Sequence, residues 1–152
     1  MKSLRFRYKQ VPMPHPLWPL GGRQERPRAI VFVGVVGPTG TDADEALLDT
    51  GADDTVFPEA MAVGIGIDLT NAPAGSASGF GPTVGLLRYA EVMLRLTDGR
   101  EYCEWPARVG FTAAPLKRPL LGFAGFLQFF RALFDGEREE VELTTTARYA
   151  GT

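Results

Sequence analysis

The sequence predicts a mainly β fold with one lobe per chain, and three observations carry that reading. The apolar run from Ala29 to Gly37 is about half as long as a membrane-spanning helix needs to be, so it reads as a buried strand. Asp98-Gly99 and Asp135-Gly136 each separate two strand-like stretches, the arrangement that favours a two-stranded hairpin. Apolar side chains recur at every second position in Val92, Leu94 and Leu96, and again in Val141 and Leu143 between Glu140, Glu142 and Thr144. A chain of 152 residues has room for one well-filled core but not for two full lobes.

Taken in order, residues 11 to 28 hold Pro12, Pro14, Pro16, Pro19 and Pro27 with Gly21 and Gly22, a composition that opposes both a helix and a central strand and predicts an extended arm or linker. Ile30 to Val36 is the first core strand, Gly37 to Gly40 its turn, and an acidic stretch then leads into Ala46, Leu47, Leu48 and Asp49. Pro58 to Val63 suits one or two helical turns, with Pro58 at the first helical position and Gly64 and Gly66 as stops. The glycine-dense segment 75–85 predicts a hairpin loop with Phe80 at its apolar tip. Leu86 to Leu96 and Glu101 to Val109 form the hairpin around Asp98-Gly99, and Leu120-Leu121-Gly122 closes another apolar strand. Phe123 to Phe130, rich in Phe and Leu and free of β-branched residues, predicts a short buried C-terminal helix, followed by the hairpin around Asp135-Gly136.

Composition narrows the function. Hydrophobic content of 45%, charged content of 22% and a net charge of -2 describe a globular chain, and its Lys and Arg residues are scattered rather than gathered into a stripe for a phosphate backbone. No nucleic acid and no membrane are therefore expected as partners, and a peptide fits better. Cys103 has no second cysteine to pair with and no zinc-ligand spacing around it, and the first ten residues lack the apolar stretch of a signal peptide; both point to the cytoplasm. The single His15 lies between Pro14 and Pro16, where a surface role is far more natural than catalysis. Ser76 and Ser78 have no basic partner in sequence to activate them, and Gly79-Phe80-Gly81 lacks the strand–turn–helix setting of a dinucleotide site. Trp18 and Trp105 suit either packing or peptide contact.

The segment Ala46-Leu47-Leu48-Asp49-Thr50-Gly51-Ala52-Asp53-Asp54-Thr55-Val56 carries the chemistry. An Asp-Xaa-Gly alone is an ordinary turn. Here two apolar residues bring the carboxylate to the end of a buried strand, and Gly51 permits a turn tight enough for backbone amides to approach it. Glu45 to Val56 resembles the active-site segment of retroviral proteases along its whole length, and Leu120-Leu121-Gly122 resembles the element that braces the catalytic turn in that family. The order of catalytic turn, glycine-rich flap, hairpin, bracing element and short helix is also similar.

The resemblance implies a retropepsin-like closed β-barrel, the acid-protease fold, with one short C-terminal helix. It divides the chain into an N-terminal arm (1–28), a protease domain (29–146) and a tail (147–152). It implies an aspartic endopeptidase in which Asp49 is the catalytic carboxylate, Thr50 bonds across a dimer axis and Gly51 contacts substrate backbone. Ala52, Asp53, Asp54 and Val56 would line the peptide groove, and Ser78, Gly79, Phe80 and Gly81 would form the flap tip. One Asp-Thr-Gly per chain makes the partners a second copy of the chain, in a homodimer, and a peptide or protein substrate; neither metal nor cofactor is needed. Val56, Phe57 and Phe80 predict hydrophobic residues around the cut, and Ala52, which has no hydroxyl to offer the carboxylate, predicts an optimum in mild rather than strong acid.

The chain differs from the viral pattern in having Phe123 and Ala124 where those enzymes have an Arg-Asn pair, in its terminal hairpin and in its proline-rich start, which makes it more similar to cellular or bacterial retropepsin-like proteins. The alternative function is a non-catalytic dimer module that binds peptides or partners in the same groove. A third possibility is a latent protease with the proline arm lying in the groove.

Overall fold

The computed structural model describes residues 1–77 and 85–152 and is mainly β. Among the described residues the strands in chain order are β1 (Ser3–Arg7), β2 (Lys9–Leu17), β3 (Arg23–Arg28), β4 (Ile30–Val36), β5 (Thr41–Leu48), β6 (Val56–Pro58), β7 (Ala74–Ala77), β8 (Gly85–Thr97), β9 (Tyr102–Thr112), β10 (Leu120–Leu121), β11 (Phe130–Asp135) and β12 (Glu140–Thr145), with one α-helix, α1 (Glu59–Gly64), after β6. Among the described residues no helix is long and apolar enough to cross a membrane.

Alternation decides which faces meet. Val31, Val33 and Val35 of β4, Val92, Leu94 and Leu96 of β8, and Cys103, Trp105, Ala107 and Val109 of β9 are all buried and share one core. The main sheet runs β4-β5-β10-β6-β9-β8-β7, and β4 pairs a second time with β8, through Gly34↔Arg95, Val35↔Leu94 and Val36↔Met93. Trp105 is fully buried, edge-on to Phe126 at 5.4 Å and to Phe130 at 5.2 Å, and its indole N–H donates to the Gly125 carbonyl at 3.0 Å. It is a packing residue. Trp18, by contrast, is 91% exposed.

Three expectations change. The short C-terminal helix predicted over 123–130 is absent: only a 3-10 turn forms, over Leu127–Phe129, and Phe130 already begins β11. Gly125 sits at φ 88° and Phe126 at φ -131°, so the backbone is not helical where the helix would begin, and Phe126 and Phe130 reach Trp105 without it. Residues 11–28 are not an unpaired linker, and the strand before them is paired as well. β1 pairs with β12, at the side of a three-stranded β1-β12-β11 sheet, and places Leu4 at 0% exposure in the core; β2 and β3 form a separate hairpin. Proline at every second position of β2 removes N–H donors from one edge of the strand only, so it can still pair from Lys9↔Arg28 to Pro12↔Glu25 before the register shifts. The tail is built in as well, with Tyr149 packed at a tilt of 56° against Trp105 and Thr152 N–H donating to the Glu104 carbonyl at 2.9 Å.

α1 follows the prediction closely, displaced by one residue because Pro58 caps the helix rather than opening it. Deleting residues 1–28 is expected to abolish the cooperative thermal transition, since it strips β1 from its sheet and removes Leu4, whose truncation to Ala alone would cost about 2–5 kcal/mol. A truncated chain that melts at the full-length temperature would contradict this, and one that also kept its activity would exclude a regulatory arm.

Candidate active site

Asp49 lies where β5 runs out. Ala46 and Leu48 point into the core, so Leu47 and Asp49, one residue out of phase, share the opposite face. β10 lies between β5 and β6, parallel to β5 through Leu120↔Leu47 and Leu121↔Leu48 and antiparallel to β6 through Leu120↔Val56. Asp49 N–H donates to the Leu121 carbonyl at 3.0 Å, Phe123 N–H to Ala52 and Ala124 N–H to Asp53 at 2.9 Å each, and Thr55 N–H to Ala124 at 3.0 Å. Two distant segments are thereby laced into one rigid turn.

Glycine makes this approach possible. A Cβ on Gly122 would lie 2.3 Å from the Asp54 carbonyl oxygen and 2.6 Å from that of Ala52, so no larger residue fits against the turn as it stands. Gly51 N–H donates to Asp49 Oδ1 at 2.9 Å, and Ala52 N–H to the Asp49 carbonyl at 3.2 Å. The carboxylate is thus held by its own turn, half-buried, with Thr50 and Gly51 exposed beside it. The Thr50 hydroxyl makes no hydrogen bond among the described residues.

The remaining predicted site residues separate into groups. Ala52 is half-buried, Asp53 is exposed, and Asp54 is half-buried and accepts from the Tyr89 hydroxyl at 3.1 Å. Val56 and Phe57, at 2% and 0% exposure, pack beneath the turn and offer a peptide no surface, which corrects their assignment to the groove. β6 is flanked on both sides, by β10 and by β9, so it lies inside the sheet and not at an edge. Ser78, Gly79, Phe80 and Gly81 lie outside the described residues; the strands leading to them pair from Ala74↔Arg88 to Ala77↔Gly85.

Two features escaped the sequence. Tyr89 anchors Asp54 from β8, and nothing in its sequence neighbourhood marks it. Burial, and then the adjacent Asp54 carboxylate, raise the Tyr89 phenol above its usual pKa of 10.0. A phenol whose pKa rises on folding contributes stability that is fully present below pH 10 and is lost as pH climbs through the folded value. Tyr89→Phe is therefore expected to cost about 1 kcal/mol at neutral pH and to flatten the loss of stability above about pH 10, read from urea midpoints between pH 7 and 11; an unchanged alkaline limb would contradict the anchor.

The second feature is a cleft of about 480 Å³ on the outer face, between the β2–β3 hairpin and the loop before β10. Leu47 and Leu120 are among its apolar lining, and Arg28, Lys117 and Arg118 are its basic residues. No protein-family profile matches this chain, and no curated protein matches it in sequence.

Proposed function

We propose that the chain is one subunit of a homodimeric, retropepsin-like aspartic endopeptidase, with the run β4-β5-β10-β6-β9-β8 acting as a barrel closed by the second pairing of β4. The observation that carries this reading is the Asp49-Thr50-Gly51 turn, fixed by Leu121, Phe123 and Ala124 with its carboxylate on the outer face. A carboxylate serving only as a turn cap needs no second segment threaded behind it. Each chain supplies one Asp49, so two chains meeting about a two-fold axis supply a pair. Two carboxylates at hydrogen-bonding distance share one proton: the ionised member takes a proton from the attacking water while the protonated member polarises the scissile carbonyl.

The exposed Thr50, whose hydroxyl has no hydrogen-bond partner among the described residues, is the residue available to tie the two turns together. An extended substrate would pair as an added strand, with its side chains alternating between pockets. Buried Cys103 is compatible with a reducing compartment, the cytoplasm. The test is cleavage of a peptide library between pH 3 and 7.5 by the wild type and by Asp49→Asn. Cleavage with a maximum in mild acid that vanishes in the variant supports the reading; equal cleavage by both chains, or none by a dimeric wild type, overturns it.

A further inference from the structure

The cleft beside the turn has a basic rim. Leu47 shares a face with Asp49 two residues away, which places the cleft about 7 Å along the strand from the carboxylate. Leu120, paired to Leu47, continues the apolar floor, and Val11 and Met13 of the hairpin stand opposite. Around this floor are Arg28, Lys117 and Arg118, and among the described residues none of the three has a carboxylate partner. Some cations elsewhere are paired, Arg5 with Glu142, Arg23 with Glu139 and Arg95 with Glu104, and so is Lys9 of the same hairpin, with Glu45. Among the described residues, the cleft lining contains no Asp or Glu.

We propose that this cleft is a substrate subsite selective for an acidic side chain, Asp or Glu, carried within one or two residues of the scissile bond of an extended peptide. The proposal rests on the endopeptidase reading for the position of that bond and deepens it. The apolar floor takes the methylenes of the side chain and the three cations take its carboxylate, with Arg28 and Arg118 offering forked donors. Partial burial against Leu47 and Leu120 makes the pairing stronger than an open surface ion pair, although salt still weakens it. The signal was faint in the sequence because Arg28 precedes β4 while Lys117 and Arg118 precede β10, and only the fold brings them to one rim.

The test uses two fluorescein-labelled peptides, amidated at the C-terminus and identical except for Glu or Gln beside the cut, presented to the full-length wild type and to the charge-reversed Lys117→Glu/Arg118→Glu and neutral Lys117→Gln/Arg118→Gln chains. Both cleavage rate and binding, by fluorescence anisotropy, are read at pH 6. A preference for Glu of about fivefold to tenfold in the wild type is expected, collapsing in the neutral chain, inverting in the reversed chain and shrinking at 0.5 M salt. If the wild type cuts neither peptide yet binds Glu with this preference and this dependence on Lys117 and Arg118, the subsite stands and the endopeptidase reading falls. Equal handling of Glu and Gln by the wild type, absence of binding and cleavage alike, or a preference that persists in the charge-reversed chain, overturns the proposal.

Discussion

Replacing Asp49 with Asn is expected to lower peptide cleavage by about 10³-fold or more while leaving the fold intact, because the change removes an ionisable oxygen and keeps a hydrogen-bond acceptor. The Asn side chain is the same size and its carbonyl can still accept from Gly51 N–H, the contact that Asp49 Oδ1 makes at 2.9 Å. The Asp49 backbone, bonded to Leu121 and to Ala52, is untouched. A thermal midpoint within about 3 °C of the wild type is therefore expected, as for other substitutions that leave packing and backbone bonding in place. What is lost is the shared proton of the proposed pair, since an amide can neither take a proton from water nor hold one for the carbonyl. Circular dichroism and cleavage assays on the same preparation check both halves of this expectation.

Gly122→Ala is expected to have the largest effect on stability of any single methyl addition at the turn. The added Cβ would sit 2.3 Å from the Asp54 carbonyl oxygen and 2.7 Å from its carbonyl carbon, and these are backbone atoms that cannot rotate away. Relief requires β10 to move off the turn, which breaks the backbone bonds from Phe123 to Ala52 and from Ala124 to Asp53. A loss of about 3 kcal/mol and a fall in Tm of about 10 °C are expected, together with loss of cleavage even where the chain remains folded. Gly136→Ala is the control: a Cβ there meets nothing within 4 Å, and a change within about 0.5 kcal/mol is expected. Equal melting of the two variants would show that the close approach at Gly122 carries no energetic weight.

The parts of this fold that were legible in the sequence were those governed by local rules. β4 runs over Ile30–Val36 as its unbroken apolar run required, and β8 and β9 meet around Asp98-Gly99 because alternation and turn chemistry agree there. Asp49 was legible because a carboxylate following Leu47 and Leu48 and preceding Gly51 violates the pattern of a simple polar loop. The misread parts were settled by tertiary contacts. Phe126 and Phe130 have a spacing that serves a helix, yet Trp105 captures both from an irregular backbone around Gly125. The prolines of β2 argued against a central strand and were consistent with the observed hairpin, while the pairing of β1 with β12 joins residues 133–141 positions apart, a distance over which periodicity carries no information. The bond from Tyr89 to Asp54 is of the same kind. Val56 was assigned to the groove by resemblance, but in β6, between β9 and β10, it is buried at 2% exposure.

The proposed homodimer imposes a requirement: one working site needs an Asp49 from each of two chains. It is tested most directly by co-refolding wild-type chain, held at a fixed concentration above its dimerisation midpoint, with increasing amounts of Asp49→Asn chain and measuring cleavage. Random pairing into dimers predicts that activity falls to about one half at an equimolar ratio and to about one tenth at a ninefold excess of the variant, because mixed dimers hold a single carboxylate. Activity that stays constant throughout the titration would contradict the claim, showing that the wild-type chain needs no second Asp49.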